Sequence, residues 1–350
     1  MRPFHRLLLT SLFIAGASIA AAQDATTVQI PAFVLPESNQ LSEEARAVLA
    51  RMEEARAPDL KGDIKRQREF YGRYNDDRLA EMRRSFATRE ERTTLGGVPV
   101  HIVTPGVGPS RANAARVLIN VHGGAFMWGS GSGALVEAIP LAATMGVKVV
   151  TVDYRLAPEH RYPAASQDVT AVYRALLKTY RPENVGIYGC SAGGVITAQS
   201  VAWIRREGLP RPGAIATLCG TGAPYSGDSI ILSGPLGGNA PTVSGPLPDV
   251  LPTSYMSGVA ASDGAAYPLL SETETAAFPP TLMLAGGRDF AASALTLAHR
   301  RLAAAHVRSE LYLFDGLPHA FFVWPDMPES HEAYRVIANF FDRHLGKRKR

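Results

Sequence analysis

Apolar residues follow two rhythms along this chain, and the change between them divides it. From Ser42 to Arg56 they recur at helical spacing, with Ser42 and Glu44 near the start and Pro58 past the end. Residues 64–86 read as one or two further helices, amphipathic and heavily charged. Near Thr93 the rhythm changes. Thr93-Thr94-Leu95, Gly96-Gly97 and Val98 to Val103 predict a hairpin. Short apolar runs follow at Val117–Val121, Val147–Val152, Val185–Tyr188, Ala214–Leu218, Thr281–Ala285 and Glu310–Phe314. Helical stretches near 133–145, 163–180, 195–207, 291–305 and 329–344 fall between or after them. Near-continuous apolar strands alternating with helices predict an α/β fold with a mostly parallel sheet, covered on both faces. The interval 220–278 breaks the alternation and is rich in Gly, Pro and Ser. A connection that long usually carries function. It is expected to join the N-terminal helices in a cap above the sheet's C-terminal edge.

The first residues belong to neither rhythm. Basic Met1 to Arg6, an apolar run from Leu7 to Ala17 and the small residues Ala20-Ala21-Ala22 form a secretory leader pattern. The run is too short for a stable membrane span. Cleavage near Ala22, and a periplasmic or secreted mature chain, are therefore expected.

Charge adds little. The formal net charge of +4 drops to +2 without Arg2 and Arg6, and to −2 without the tail Lys347 to Arg350. The charge of the body thus does not imply a nucleic-acid surface, and no nucleic-acid partner is expected. The two cysteines, Cys190 and Cys219, could pair in an exported chain. Cys190 lies in a tight turn, which disfavours pairing, so two buried thiols are expected.

The chemistry starts at Gly189-Cys190-Ser191-Ala192-Gly193-Gly194, between the Val185–Tyr188 strand and a helix. Strand, Gly-x-Ser-x-Gly and helix is the setting of a nucleophile elbow, where close backbone approach demands small neighbours. A serine hydroxyl needs a base. Asp289 and His319 follow later strands, giving the chain order Ser191, Asp289, His319. Strand ends of a parallel sheet share one edge, so the three can converge. Asn120 to Phe126 carries His122-Gly123-Gly124-Ala125 after another buried strand. Gly124 and Ala125, supported by Gly123, are the expected oxyanion donors, with the N–H of Ala192.

Together these residues resemble the hormone-sensitive lipase family of bacterial esterases. Asp153-Tyr154-Arg155-Leu156-Ala157-Pro158-Glu159-His160, then Tyr162-Pro163-Ala164-Ala165 and Asp168, add to the likeness, which runs from about Thr93 to the C-terminus. The resemblance implies an α/β-hydrolase fold with an eight-stranded, mostly parallel sheet, helices on both faces and a helical cap. It divides the chain into a leader (1–22), an N-terminal helical segment contributing to the cap (23–92) and a hydrolase domain (93–350) with a cap insertion at about 220–278. It implies a serine carboxylesterase acting on short- to medium-chain acyl esters, with no cofactor and no metal, and with Asp153, Arg155, Glu159 and Asp168 as supports for the site. Lactone, aryl-ester or amide hydrolysis and a homodimer stay open. Three departures stand out: Cys190 where the family has an acid, Ala125 for a glycine, and Ser293 where a further acid is usual.

Two readings from other classes compete. Gly129-Ser130-Gly131-Ser132-Gly133-Ala134 with Asp153 approximates a dinucleotide fingerprint, but His122 to Trp128 separate the glycines from their strand. A non-catalytic ligand-binding relative of the same fold would lack the histidine base, and His319 is present.

Overall fold

The computed structural model describes residues 34–60, 62–237 and 253–346. The expected leader and part of the expected cap insertion lie outside these residues. Residues 34–37, which form neither helix nor strand, belong to a separate N-terminal unit. The body begins at Ser38.

Eight strands form one sheet: β1 (Thr88–Leu95), β2 (Val98–Pro105), β3 (Val117–Val121), β4 (Lys148–Val152), β5 (Val185–Cys190), β6 (Ala214–Leu218), β7 (Thr281–Gly286) and β8 (Ser309–Phe314). Their order is β1-β2-β4-β3-β5-β6-β7-β8. β2 is antiparallel to both its neighbours, and the pairs from β4 to β8 are parallel. Every residue of β3, β5, β6 and β7 is buried. That explains their near-continuous apolar runs: each face of the sheet meets a helical layer.

The helices are α1 (Glu43–Glu54), α2 (Ile64–Ser85), α3 (Ser132–Met145), α4 (Ala164–Leu176), α5 (Ala192–Arg206), α6 (Asp228–Gly237), α7 (Glu272–Ala276), α8 (Ala292–Ala304) and α9 (Pro328–His344). Ser42 caps α1 by accepting from the N–H of Ala45, and Asp63 caps α2 by accepting from Lys65 and Arg66. The charged stretch 64–86 is one helix, not two. The expected hairpin begins at Thr88, five residues before Thr93, because β1 pairs along its whole length with β2.

The N-terminal helices dock on the body. Ala45 and Val48 of α1 and Leu79 and Met82 of α2 are buried in the same apolar layer as Ile337 and Phe341 of α9. Ser42 donates twice to Glu329, Arg51 pairs with Asp326, and the Arg78 guanidinium lies 3.5 Å from the Trp324 ring centroid.

β5 turns into α5 with no room to spare. A Cβ built on Gly193 would lie 1.8 Å from the carbonyl oxygen of Val121. Gly193→Ala is therefore expected to cost about 3 kcal/mol or more, or to abolish soluble expression. Gly72, inside α2, has nothing within 4 Å of a built Cβ. Gly72→Ala is expected to stabilise by about 0.5–1 kcal/mol. Thermal melts of the two variants beside the parent check both signs.

Candidate active site

Ser191 stands between the last residue of β5 and the first of α5, with φ +57°. A non-glycine residue in that region is strained, and the surroundings must hold it there. Its N–H donates to the carbonyl of Leu218 at 2.8 Å, tying the turn to the end of β6. Ala192 opens α5, so its N–H has no helical acceptor and is free to face a ligand.

Asp289 and His319 come together as their order in the chain predicts. Asp289 lies on the turn after β7, is fully buried, and accepts from His319 Nδ1 at 2.9 Å and from the Ala291 N–H at 2.8 Å. A carboxylate can only accept, so Nδ1 carries a proton, and a neutral ring then offers Nε2 as its bare nitrogen. The other carboxylate oxygen, Oδ2, is buried without a hydrogen-bond partner among the described residues. Phe290 stacks on the His319 ring at 4.3 Å and meets Tyr225 edge-on at 4.9 Å. The Tyr225 phenol lies beside Ser191, and burial pushes its pKa up, keeping it neutral. Ser191, Tyr225, Phe290 and His319 thus form one cluster at the sheet's C-terminal edge.

The loop after β3 completes the arrangement. Gly124, Ala125 and Phe126 have φ of +116°, +49° and +65°. Successive left-handed residues turn backbone N–H groups toward one side. At Gly124 only glycine fits, since a Cβ would lie 2.1 Å from the Trp128 oxygen. Ala125 takes up the left-handed conformation despite its methyl. The N–H of Gly123 is committed to Glu137 Oε1 at 2.7 Å, so Gly123 holds the loop rather than facing a ligand. His122 Nδ1 meets the Gly123 carbonyl at 2.7 Å, and its ring stacks on Tyr154 at 4.2 Å. Burial lowers the His122 pKa, so the ring stays neutral.

Glu137 gives no signal in the motifs, yet it was legible as a lone charge in the apolar stretch Ala134–Ala142. Burial pushes its carboxyl up to about 7, against the pull of donors from Gly123, Asn120 and Cys190. The folded chain therefore keeps this proton up to about pH 7, while the unfolded chain releases it near the ordinary 4.5. The stability it contributes is full below about pH 4.5 and lost as pH rises through 7. Melting temperatures of the parent are expected to fall across that window relative to Glu137→Gln; parallel slopes would refute this.

The expected supports sit beneath the loop. Asp153 accepts from the Gly131 N–H at 2.9 Å, and Arg155 reaches Asp168 at 2.9–3.0 Å. Glu159 pairs with Arg68 of α2, which also donates to the carbonyls of Met127 and Ala157. The dinucleotide-like glycines pack against the loop after β3: a Cβ on Gly129 would lie 2.3 Å from the Gly123 oxygen. Ser293, at the departure from the acid, joins α8 to α6: its N–H donates to Ser229 Oγ, and its Oγ accepts from the Ser229 N–H.

The cysteines correct an expectation. Cys190 and Cys219 form a disulfide with their Cα atoms 5.4 Å apart. The tightness of the elbow had argued against pairing. It fails as an argument because Cys190 lies opposite Leu218 in the β5–β6 ladder, so the next residue, Cys219, comes within bridging distance. Cys219 Sγ, a carboxylate oxygen of Asp289 and a ring nitrogen of His319 all lie within 4.8 Å of one another. With the sulfur in a disulfide, that trio offers no thiolate to a metal.

Residues 118–323 match the α/β hydrolase fold family. LipR of Mycobacterium tuberculosis is 30% identical over 74% of this chain and 82% of its own length. The acetyl esterase of Salmonella dublin is 25% identical over 88% of this chain and 96% of its own. A solved esterase from the bacterial hormone-sensitive lipase family superposes with a TM-score of 0.73 at 25% identity, covering 87% of this chain and 99% of that one. This chain belongs to the hormone-sensitive lipase family of α/β-hydrolases. Within that family, Cys190 and Ser293 replace acids, and both side chains are engaged: one in the bridge, the other in the α6–α8 link. Among the described residues, no helix is long and apolar enough to cross a membrane.

Proposed function

We propose that this carboxylic ester hydrolase works through a covalent acyl-enzyme on Ser191 and prefers short to medium acyl chains. The observation that carries the reading is the strained Ser191 at a strand–helix turn, on the same edge as a buried Asp289 bonded to His319 at 2.9 Å. In this reading His319 Nε2 takes the Ser191 proton as the oxygen attacks the ester carbonyl. The N–H groups of Gly124, Ala125 and Ala192 stabilise the developing oxyanion, each by about 3–4 kcal/mol. The alcohol leaves with the proton from His319, and water, activated by the same nitrogen, releases the acid. Asp289 holds the imidazole tautomer and stabilises its charged form.

Short acyl preference is supported by the name of the Salmonella relative, an acetyl esterase, and by Tyr225 and Phe290 crowding Ser191 and His319. The described parts of the interval 220–278, with α6 and α7, are inferred to cap the pocket. A series of p-nitrophenyl esters from acetate to palmitate tests this. The expected kcat/KM maximum lies in the short half of the series; a maximum at palmitate would refute it. Export is part of the same proposal, and the disulfide supports it, since such bridges persist in oxidising compartments. The mature N-terminus of secreted protein, read by mass spectrometry, is expected just after Ala22.

A further inference from the structure

The Cys190–Cys219 bridge lies where three strands of the site end. Cys190 directly precedes Ser191, and Cys219 follows Leu218, whose carbonyl takes the Ser191 N–H. The N–H of Cys219 donates to the carbonyl of Leu284 at 2.8 Å. Leu284 is in β7, which runs on to Gly286 and then to the turn bearing Asp289. One residue is thus bonded covalently to the strand of the serine and by its backbone to the strand of the aspartate. Both cysteines are buried, and Cys219 itself is held at φ +47°.

We propose that this bridge is a positioning element for catalysis, fixing the Ser191 turn against the Asp289–His319 pair, so that opening it slows the chemical step. The proposal rests on Ser191 being the nucleophile. Two physical arguments carry it. Two unbonded thiols need more room than a bonded pair, and the neighbourhood has none: a Cβ on the adjacent Gly220 would lie 2.2 Å from the Ser191 carbonyl oxygen. The sulfurs can separate only by moving the turn or the end of β6. Opening also adds a hydrogen to Cys219 beside Asp289, whose Oδ2 has no hydrogen-bond partner among the described residues. A thiol is a weak donor, a disulfide sulfur none. An S–H shared with that carboxylate draws its charge away from His319.

The balance of the step is simple. A dithiol reductant gives two electrons and two protons to the bridge, which becomes two thiols, and the reductant closes to its own disulfide. The test compares oxidised protein, dithiothreitol-reduced protein and Cys190→Ala/Cys219→Ala on p-nitrophenyl acetate. Active sites are counted by a fluorophosphonate, so unfolded molecules drop out. The oxidised protein is expected to label at Ser191. Reduced protein and the double variant are expected to turn over about 10-fold or more slowly per labelled site, with KM within about two-fold, as misplacement of reacting groups predicts. Reoxidation is expected to restore the rate of the reduced protein alone. The proposal is overturned by two free thiols in the untreated chain, by an unchanged per-site kcat in the double variant, or by a change confined to KM. Failure of the oxidised protein to label Ser191 overturns the serine reading instead, and this proposal with it.

Discussion

Ser191→Ala is expected to lower kcat on p-nitrophenyl acetate by at least about 10⁴-fold, with little change in KM or melting temperature. The methyl of alanine fits where Ser191 Cβ already stands, so the strained turn is kept. What disappears is the oxygen proposed to attack. The residual rate is then expected from the proposed N–H donors of Gly124, Ala125 and Ala192 acting on a bound ester attacked by water. Steady-state kinetics with a folded-state check by circular dichroism decides the matter. Retention of a tenth of the parent rate would exclude Ser191 as the nucleophile.

Asp289→Asn carries the second large effect, a fall in kcat of about 10³- to 10⁴-fold. The carboxylate accepts the Nδ1 proton of His319 at 2.9 Å and the Ala291 N–H at 2.8 Å through one oxygen. An asparagine turned to keep the Ala291 bond through its oxygen loses the negative charge that stabilises a charged imidazole. Turned the other way, its amide donates to Nδ1 and moves the ring proton to Nε2, where it blocks proton transfer from serine. Either state disables the base without removing any side-chain volume. Fluorophosphonate labelling rates, which require an activated serine, are expected to fall in step with kcat. Unaltered labelling would mean that Asp289 does not act through His319.

Much of this arrangement is legible in the sequence because close packing leaves local marks. Buried parallel strands need near-continuous apolar runs, and β3, β5, β6 and β7 all show them. The β5 turn needs Gly189 and Gly193, where any Cβ would strike the Val121 oxygen. Strand ends that share an edge bring Asp289 to His319 from thirty positions away. What stays hidden depends on pairings between distant elements. Tyr225 sits in a Gly/Pro-rich stretch without a period, and nothing local says that its phenol lies beside Ser191. The disulfide needed the β5–β6 register, which no run of residues encodes. The role of Glu137 needed the facing N–H of Gly123, although its isolation in an apolar helix was visible.

The docking of α1 has a consequence for biosynthesis. Its seat on the body is made by Trp324, Asp326, Glu329 and α9, all from the last tenth of this sequence. A ribosome delivers the helix long before that seat. Until then Ala45 and Val48 stay uncovered, so a nascent chain that stops short of α9 exposes a greasy flank to proteases and chaperones.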